Sequence, residues 1–277
     1  MQNNFLFLAL KLLVLVAICL KTAKAQTPAD TLPINNSIVV TGKANSYVPK
    51  ISVGTLIQFE YAYQLPIMDM GKRFGNNSNI GLTILQKTGK NWFYGINGQF
   101  LFGFKLREDS LAWNLFAENG QIWGRDGLPA DVVFAQRGYM GGMRLGKLFP
   151  LNPVKNPNMG IMVSLEGGYF EHRIRIFDRY HQVPALEGNF NKGYDRLTKG
   201  FFVGQSVGFL YLDPKRLKNI YVGAHLYEGF TQPQRAFNFD TQHPDLVKNR
   251  KDWLVGFKAA LILPLYRTEQ QKRYYTR

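Results

Sequence analysis

Cysteine is nearly missing from this chain: 277 residues contain one, Cys19. No internal disulfide can form, so packing and hydrogen bonds alone must hold the fold. Acidic residues are sparse as well. Asp and Glu number 19 against 34 Lys and Arg, a formal net charge of +15 at pH 7. Beyond residue 25 no stretch approaches the ~18 uninterrupted apolar residues of a membrane-spanning helix. His172, His181 and His243 are scattered without metal-ligand spacing, so neither a metal nor a cofactor is expected.

What is present begins with a leader. Residues 1–25 carry Lys11, an apolar run over 12–20 and the small-residue end Ala23-Lys24-Ala25, the pattern of a signal peptide cut before Gln26. Cys19 makes a poor lipoprotein acceptor, because bulky Ile18 and Leu20 flank it. Loss of Lys11, Lys21 and Lys24 lowers the charge from +15 to +12. Export turns that charge away from nucleic acid and toward anionic lipid, lipopolysaccharide phosphate or an acidic envelope partner. Residues 26–50, with Pro28, Pro33 and Pro49, read as an extended periplasmic segment.

From residue 51 the pattern has period two. Strands are expected over 51–65, 78–87, 92–103, 132–149, 159–177, 199–212, 220–230 and 253–266. In the last, Trp253, Val255, Phe257, Ala259, Leu261, Leu263 and Leu265 share one face, and Gly256, Lys258 and Ala260 the other. Connections alternate long and short, as in transmembrane barrels with short periplasmic turns and long outer loops. Strands of ten or more residues suit a tilted membrane crossing better than a soluble sheet. Aromatics make up 14% and glycines number 27, a pairing that helices disfavour and barrel walls use. The expected fold is therefore all-β: an eight-stranded antiparallel transmembrane β-barrel, an up-and-down meander over 51–266. Both termini lie in the periplasm, and a basic tail covers 267–277. A soluble lipocalin-like barrel or sandwich is the alternative.

On strand number, loop alternation and the aromatic-rich final strand, residues 51–266 resemble the small eight-stranded outer-membrane barrels of the OmpA and OmpX type. The run Met70-Gly71-Lys72-Arg73-Phe74-Gly75-Asn76-Asn77-Ser78 and the leader ending in Ala-Gln resemble uncharacterised barrels of the Bacteroidota. One departure is that eleven residues follow Tyr266, where such barrels usually end, so the insertion signal would be internal. Asp30-Thr31-Leu32 and Asp109-Ser110-Leu111 resemble the Asp-Ser/Thr-apolar O-glycosylation sites of that group.

A barrel of this size has room for side chains rather than a wide channel. Gln58, Glu60, Asn97, Gln99, Arg144, Glu166, Ser206, His225 and Lys258 point inward. Arg144 and Glu166 stand equally far from the turn near Lys155 and should face each other. Glu60 and Lys258 sit on the first and last strands, which meet on closure. This charge network reads either as a polar plug or as a gate. Ser206 and His225 lie at nearly equal distances from the turn between the sixth and seventh strands, which makes them candidate cross-strand neighbours, with a hydrogen-bonded core histidine as the simpler reading. With Glu166 they form the alternative, an acyl-transfer site of a lipid A-modifying barrel, although no established motif of those enzymes is present. A narrow pore is the other alternative.

Function is otherwise expected on the rims. Arg137, Arg173 and Arg175 share the outward parity on the fourth and fifth strands, with Glu171 beside them. Their guanidinium groups suit lipid A phosphates, or they snorkel to water. The short-turn side is basic, with Lys90, Lys155, Lys215, Arg216, Lys218, Arg267, Lys272, Arg273 and Arg277. That charge points to anionic lipid or an acidic periplasmic partner. In the loop over 104–131, Asp109 or Ser110 can cap a short helix ending at Gly120. Its Leu111, Trp113 and Phe116 cap the barrel mouth, rest in the membrane interface or dock a partner. The leading reading is an outer-membrane barrel with a structural or interaction role, presenting surface loops or serving as a subunit of a larger envelope complex.

Overall fold

The computed structural model describes residues 53–108, 111–213, 218–244 and 249–266. The expected signal peptide, N-terminal segment and basic tail lie outside the described residues, as do Asp109, Ser110, Lys215 and Arg216. Eight strands follow in order: β1 Gly54–Ile67, β2 Asn77–Lys87, β3 Trp92–Gly103, β4 Val132–Asn152, β5 Asn156–Asp178, β6 Thr198–Leu212, β7 Asn219–Pro233 and β8 Arg250–Tyr266. Each pairs antiparallel with the next, and β1 pairs with β8 from Gly54↔Tyr266 to Ile67↔Trp253, so the sheet is a closed barrel with no free edge.

The strands arise where apolar and polar residues alternate. In β1 the even positions from Gly54 to Gln64 are buried, while Phe59, Tyr61 and Tyr63 are exposed. The same holds around the ring. Ile96, Met143, Leu165, Phe201, Phe257 and Leu261 all face outward, Met143 74% and Phe257 73% exposed. A continuous apolar belt of this extent on a closed wall is costly in water and is matched to lipid. The chain is thus an eight-stranded antiparallel transmembrane β-barrel. No helix among the described residues is long and apolar enough to cross a membrane.

Two strands outgrow the expectation. β4 and β5 have 21 and 23 residues and continue past the belt at both ends. At the short-turn end their register shifts between Pro150 and Asn152, where proline cannot donate to the ladder. At the other end the chain leaves β1 through Met68, whose φ of 59° turns it into a short helix, α1 Met68–Arg73. The helix expected up to Gly120 shrinks to one 3-10 turn, Trp113–Leu115, because Asp240 rather than a local cap takes the Ala112 N–H, at 3.1 Å.

The lumen is layered. Toward the short turns Leu56, Leu85, Phe93, Leu148, Leu210 and Ile262 form one apolar cluster. Toward the long loops Leu101, Phe170, Phe202 and Leu254 of the wall pack with Met70, Phe74, Leu111, Ile122, Val183 and Leu186 of the connections. Polar residues occupy the level between. At both ends the apolar clusters share the interior with buried polar residues, Lys87, Asn91 and Asn158 toward the short turns and His172 and Asp252 toward the long loops; side chains fill a barrel this narrow, and each buried aliphatic group stabilises it by roughly 1.5–3 kcal/mol.

Candidate functional site

The middle layer gathers the expected interior charges. β4 and β5 place Arg144 directly opposite Glu166. Arg144 Nε lies 3.0 Å from Glu166 Oε1, and its Nη2 donates to Glu60 Oε2 at 2.9 Å. Lys258 departs from the expected pairing. Register sets Glu60 opposite Ala260 and Lys258 opposite Ala62, and Lys258 Nζ donates to Glu166 Oε1 at 2.7 Å. Glu166 also accepts from Asn97 Nδ2 at 2.7 Å, and Glu60 from Thr83 Oγ1 at 2.8 Å. Two carboxylates thus meet two cations, with neutral donors on the remaining lone pairs. A buried charge set survives desolvation only when paired in this way.

Ser206 and His225 are opposite one another, as the spacing implies, and each has a hydrogen-bond neighbour of its own. Ser206 Oγ is 2.6 Å from Ser164 Oγ, and Gln64 Nε2 donates to His225 Nε2 at 2.8 Å. Glu166 serves Arg144 and Lys258 instead. All three side chains are buried among neighbours with apolar layers above and below. Among the described residues no group of three or more His, Asp or Glu side chains is arranged to hold a metal ion.

The cap was not legible in advance. Arg196, 1% exposed, donates from Nε to Glu108 Oε1 at 2.9 Å and from Nη2 to both Asp240 oxygens at 2.8 Å. Glu108 also lies 3.4 Å from Arg73. Asp240 accepts the Ala112 N–H, and its carbonyl accepts Trp113 Nε1. All four long connections therefore meet at one buried ion cluster. Desolvation opposes the charge on Arg196, but Glu108 and Asp240 outweigh it and raise its pKa. Backbone bonds reinforce the cluster: Gly75 N–H to Lys105, Arg125 N–H to Gln182 and Gln234 N–H to Leu197 each join two connections. The one available signal was the scarcity of acids, since a loop carboxylate on so basic a chain has cations to choose from.

The proposed partner-docking residues divide. Leu111 is 7% exposed within the cap core, so it presents no docking surface. Burial follows from the Asp240 anchor on the adjacent residue. Trp113 and Phe116 remain exposed, Trp113 at 58%.

At the rim, Arg137, Arg173 and Arg175 keep the outward parity, with Arg137 directly opposite Arg173. Glu171, expected beside them, turns to Lys199 at 3.4 Å and accepts the Tyr169 hydroxyl at 2.8 Å. Arg137 lies over the Phe104 ring at 5.0 Å, and Arg175 over Phe177 at 4.9 Å. A cleft of about 930 Å³ opens there between the wall and the β5–β6 connection. On the opposite rim, Lys147 lies over Trp92 at 4.8 Å and donates to the Lys90 carbonyl at 2.8 Å.

No family model and no curated protein matches the chain. Solved structures with a similar outline do exist. The attachment invasion locus protein Ail of Yersinia pestis, crystallised with the heparin analogue sucrose octasulfate, is 10% identical over 77% of this chain and 100% of its own, with a TM-score of 0.38. Neisserial surface protein A is 11% identical over 76% and 99%, with a TM-score of 0.39. The outer membrane protease OmpT of Escherichia coli is 9% identical over 77% and 95%, with a TM-score of 0.31. Likeness at this level carries no functional argument. The architecture is an up-and-down closed meander of eight strands.

Proposed function

We propose that this protein is an outer-membrane barrel with a structural or interaction role: a sealed scaffold that holds a rigid cap of four loops above the membrane. One observation carries the reading, the layered lumen. Apolar clusters at both levels and a paired charge layer between them support a closed lumen in which Ser206 is poorly placed to meet a substrate. The same packing speaks for a plug rather than a gate. With the termini and short turns in the periplasm, Lys90, Lys155 and Lys218 favour an anionic leaflet or an acidic partner at that face. The exposed Trp113 and Phe116 face the outside, where a larger envelope complex would be engaged.

Planar-bilayer reconstitution tests the sealing: no discrete conductance is expected, and steady single-channel steps would overturn it. Ser206→Ala tests the enzymatic alternative. Lipid profiles of cells carrying it should match wild type, and loss of a lipid modification would reinstate catalysis. Detergent extraction at native abundance tests the interaction role, with a stable larger complex expected and a lone monomer counting against it.

A further inference from the structure

We propose that the outward cleft at Arg137 and Arg175 binds the phosphate head of an anionic lipid in the leaflet at the long-loop end. The inference rests on the membrane-embedded reading above but not on the sealing of the lumen. Its first support is uncompensated charge. Arg137 and Arg173 are directly opposed across β4 and β5, with Arg175 on the same face, and like charges so placed destabilise a sheet. Among the described residues none of the three has an ion pair. Every nearby carboxylate is engaged elsewhere: Glu171 with Lys199, Glu187 with Arg125 at 2.9 Å, and Asp131 with Arg179 at 3.1 Å. Asp178 accepts the Val183 N–H at 2.8 Å. Asp178 and Glu187 line the far side of the cleft with Arg179, but neither pairs with Arg137, Arg173 or Arg175, so this side of the cleft is missing an anion.

The second support is shape. Phe104 and Phe177 flank the Arg137 guanidinium at 5.0 and 5.5 Å, which holds its flat fork in place before a ligand arrives. The cleft has an apolar side at Phe104, 67% exposed, and Val133. Asn191 and Gly188 line it too. Farther along the same wall the belt begins with Tyr139, followed by Met143 and Leu165. A charged head beside an apolar slope fits an amphiphile whose chains run down the belt. A free inorganic anion would leave that slope unused.

The test uses the full chain refolded in neutral detergent and titrated calorimetrically with dihexanoyl phosphatidic acid, dihexanoyl phosphatidylcholine and inorganic phosphate. Saturable phosphatidic acid binding is expected, with the other two probes weaker. Arg137→Gln combined with Arg175→Gln should weaken it about tenfold or more, from the loss of charge-assisted hydrogen bonds. Arg137→Gln alone should also raise the thermal midpoint, because it relieves the Arg173 opposition; lost binding in a more stable barrel excludes misfolding as the cause. Should the double variant fail to fold, the rim-exposed Arg175→Gln decides alone. No saturable binding by wild type, or unchanged affinity in the variants, overturns the site. Inorganic phosphate binding as tightly as the lipid overturns the lipid assignment. Flotation with liposomes checks the embedded reading separately, so a barrel that floats but does not bind defeats only this inference.

Discussion

Two buried arginines organise this molecule in different ways. Arg144 sits in the wall, placed opposite Glu166 by strand register. Arg196 sits in the cap, placed by loops that converge from four connections. Around Arg144 every hydrogen-bonded neighbour is fixed by the ladder, so the site cannot open unless the barrel does. Around Arg196 only a few cross-loop bonds bear the closure. The two clusters share their chemistry but should differ in cooperativity: one belongs to the global unfolding unit, the other to a local one.

The largest effect should follow Arg144→Met. It leaves Glu60 and Glu166 facing one remaining cation, Lys258, and should cost about 3–5 kcal/mol, read as a lowered urea midpoint of the whole barrel. An unchanged midpoint would remove the distinction. Arg196→Met should cost about 2–3 kcal/mol within the cap, the value of charge-assisted bonds left unmade. Hydrogen exchange should speed up in residues 111–117 and 234–241 while strand amides stay protected; uniform loss of protection would merge the two units. Asp240→Asn keeps the shape and removes one charge. A smaller cost of about 1–2 kcal/mol is expected, with limited proteolysis in the cap as the measure. The smallest effect concerns the hinge after β1. Desolvation raises the Asp69 pKa, but Lys72 and the Lys251 backbone N–H outweigh it and hold it below the usual carboxylate value. Its contribution is complete above the unfolded value of about 4 and fades as pH falls through the lowered folded value. Acid should therefore release the Lys251 amide to exchange before the barrel responds.

The same contrast explains what the amino-acid order disclosed. Strand parity turned inward each of the nine polar residues it named from Gln58 to Lys258, because a period of two leaves each side chain only two faces. It also placed Arg144 opposite Glu166, since equal distance from a short turn is a register. It failed for Lys258, whose partner depends on reach across a lumen rather than along a ladder. Loops have no period, so no spacing announced that Arg196, Glu108 and Asp240 meet, and of the readings offered for Leu111, capping or docking, its place in the core fits the first. The apolar layers were missed for a related reason. Inward Leu56, Leu85 and Leu148 look like any alternating position until they are seen packed together across the lumen.

The apolar layer at the short-turn end has a consequence before the barrel exists. There the inward apolar cluster backs an apolar outer face, so β8 carries Leu261-Ile262-Leu263-Pro264-Leu265, apolar at each of these positions, before its last residue Tyr266. A chain carrying that run unpaired is an aggregation hazard. Pro264, set within it, cannot extend an intermolecular ladder and acts as a gatekeeper. Closure of β8 against β1 is therefore the step that takes this run out of reach of another chain.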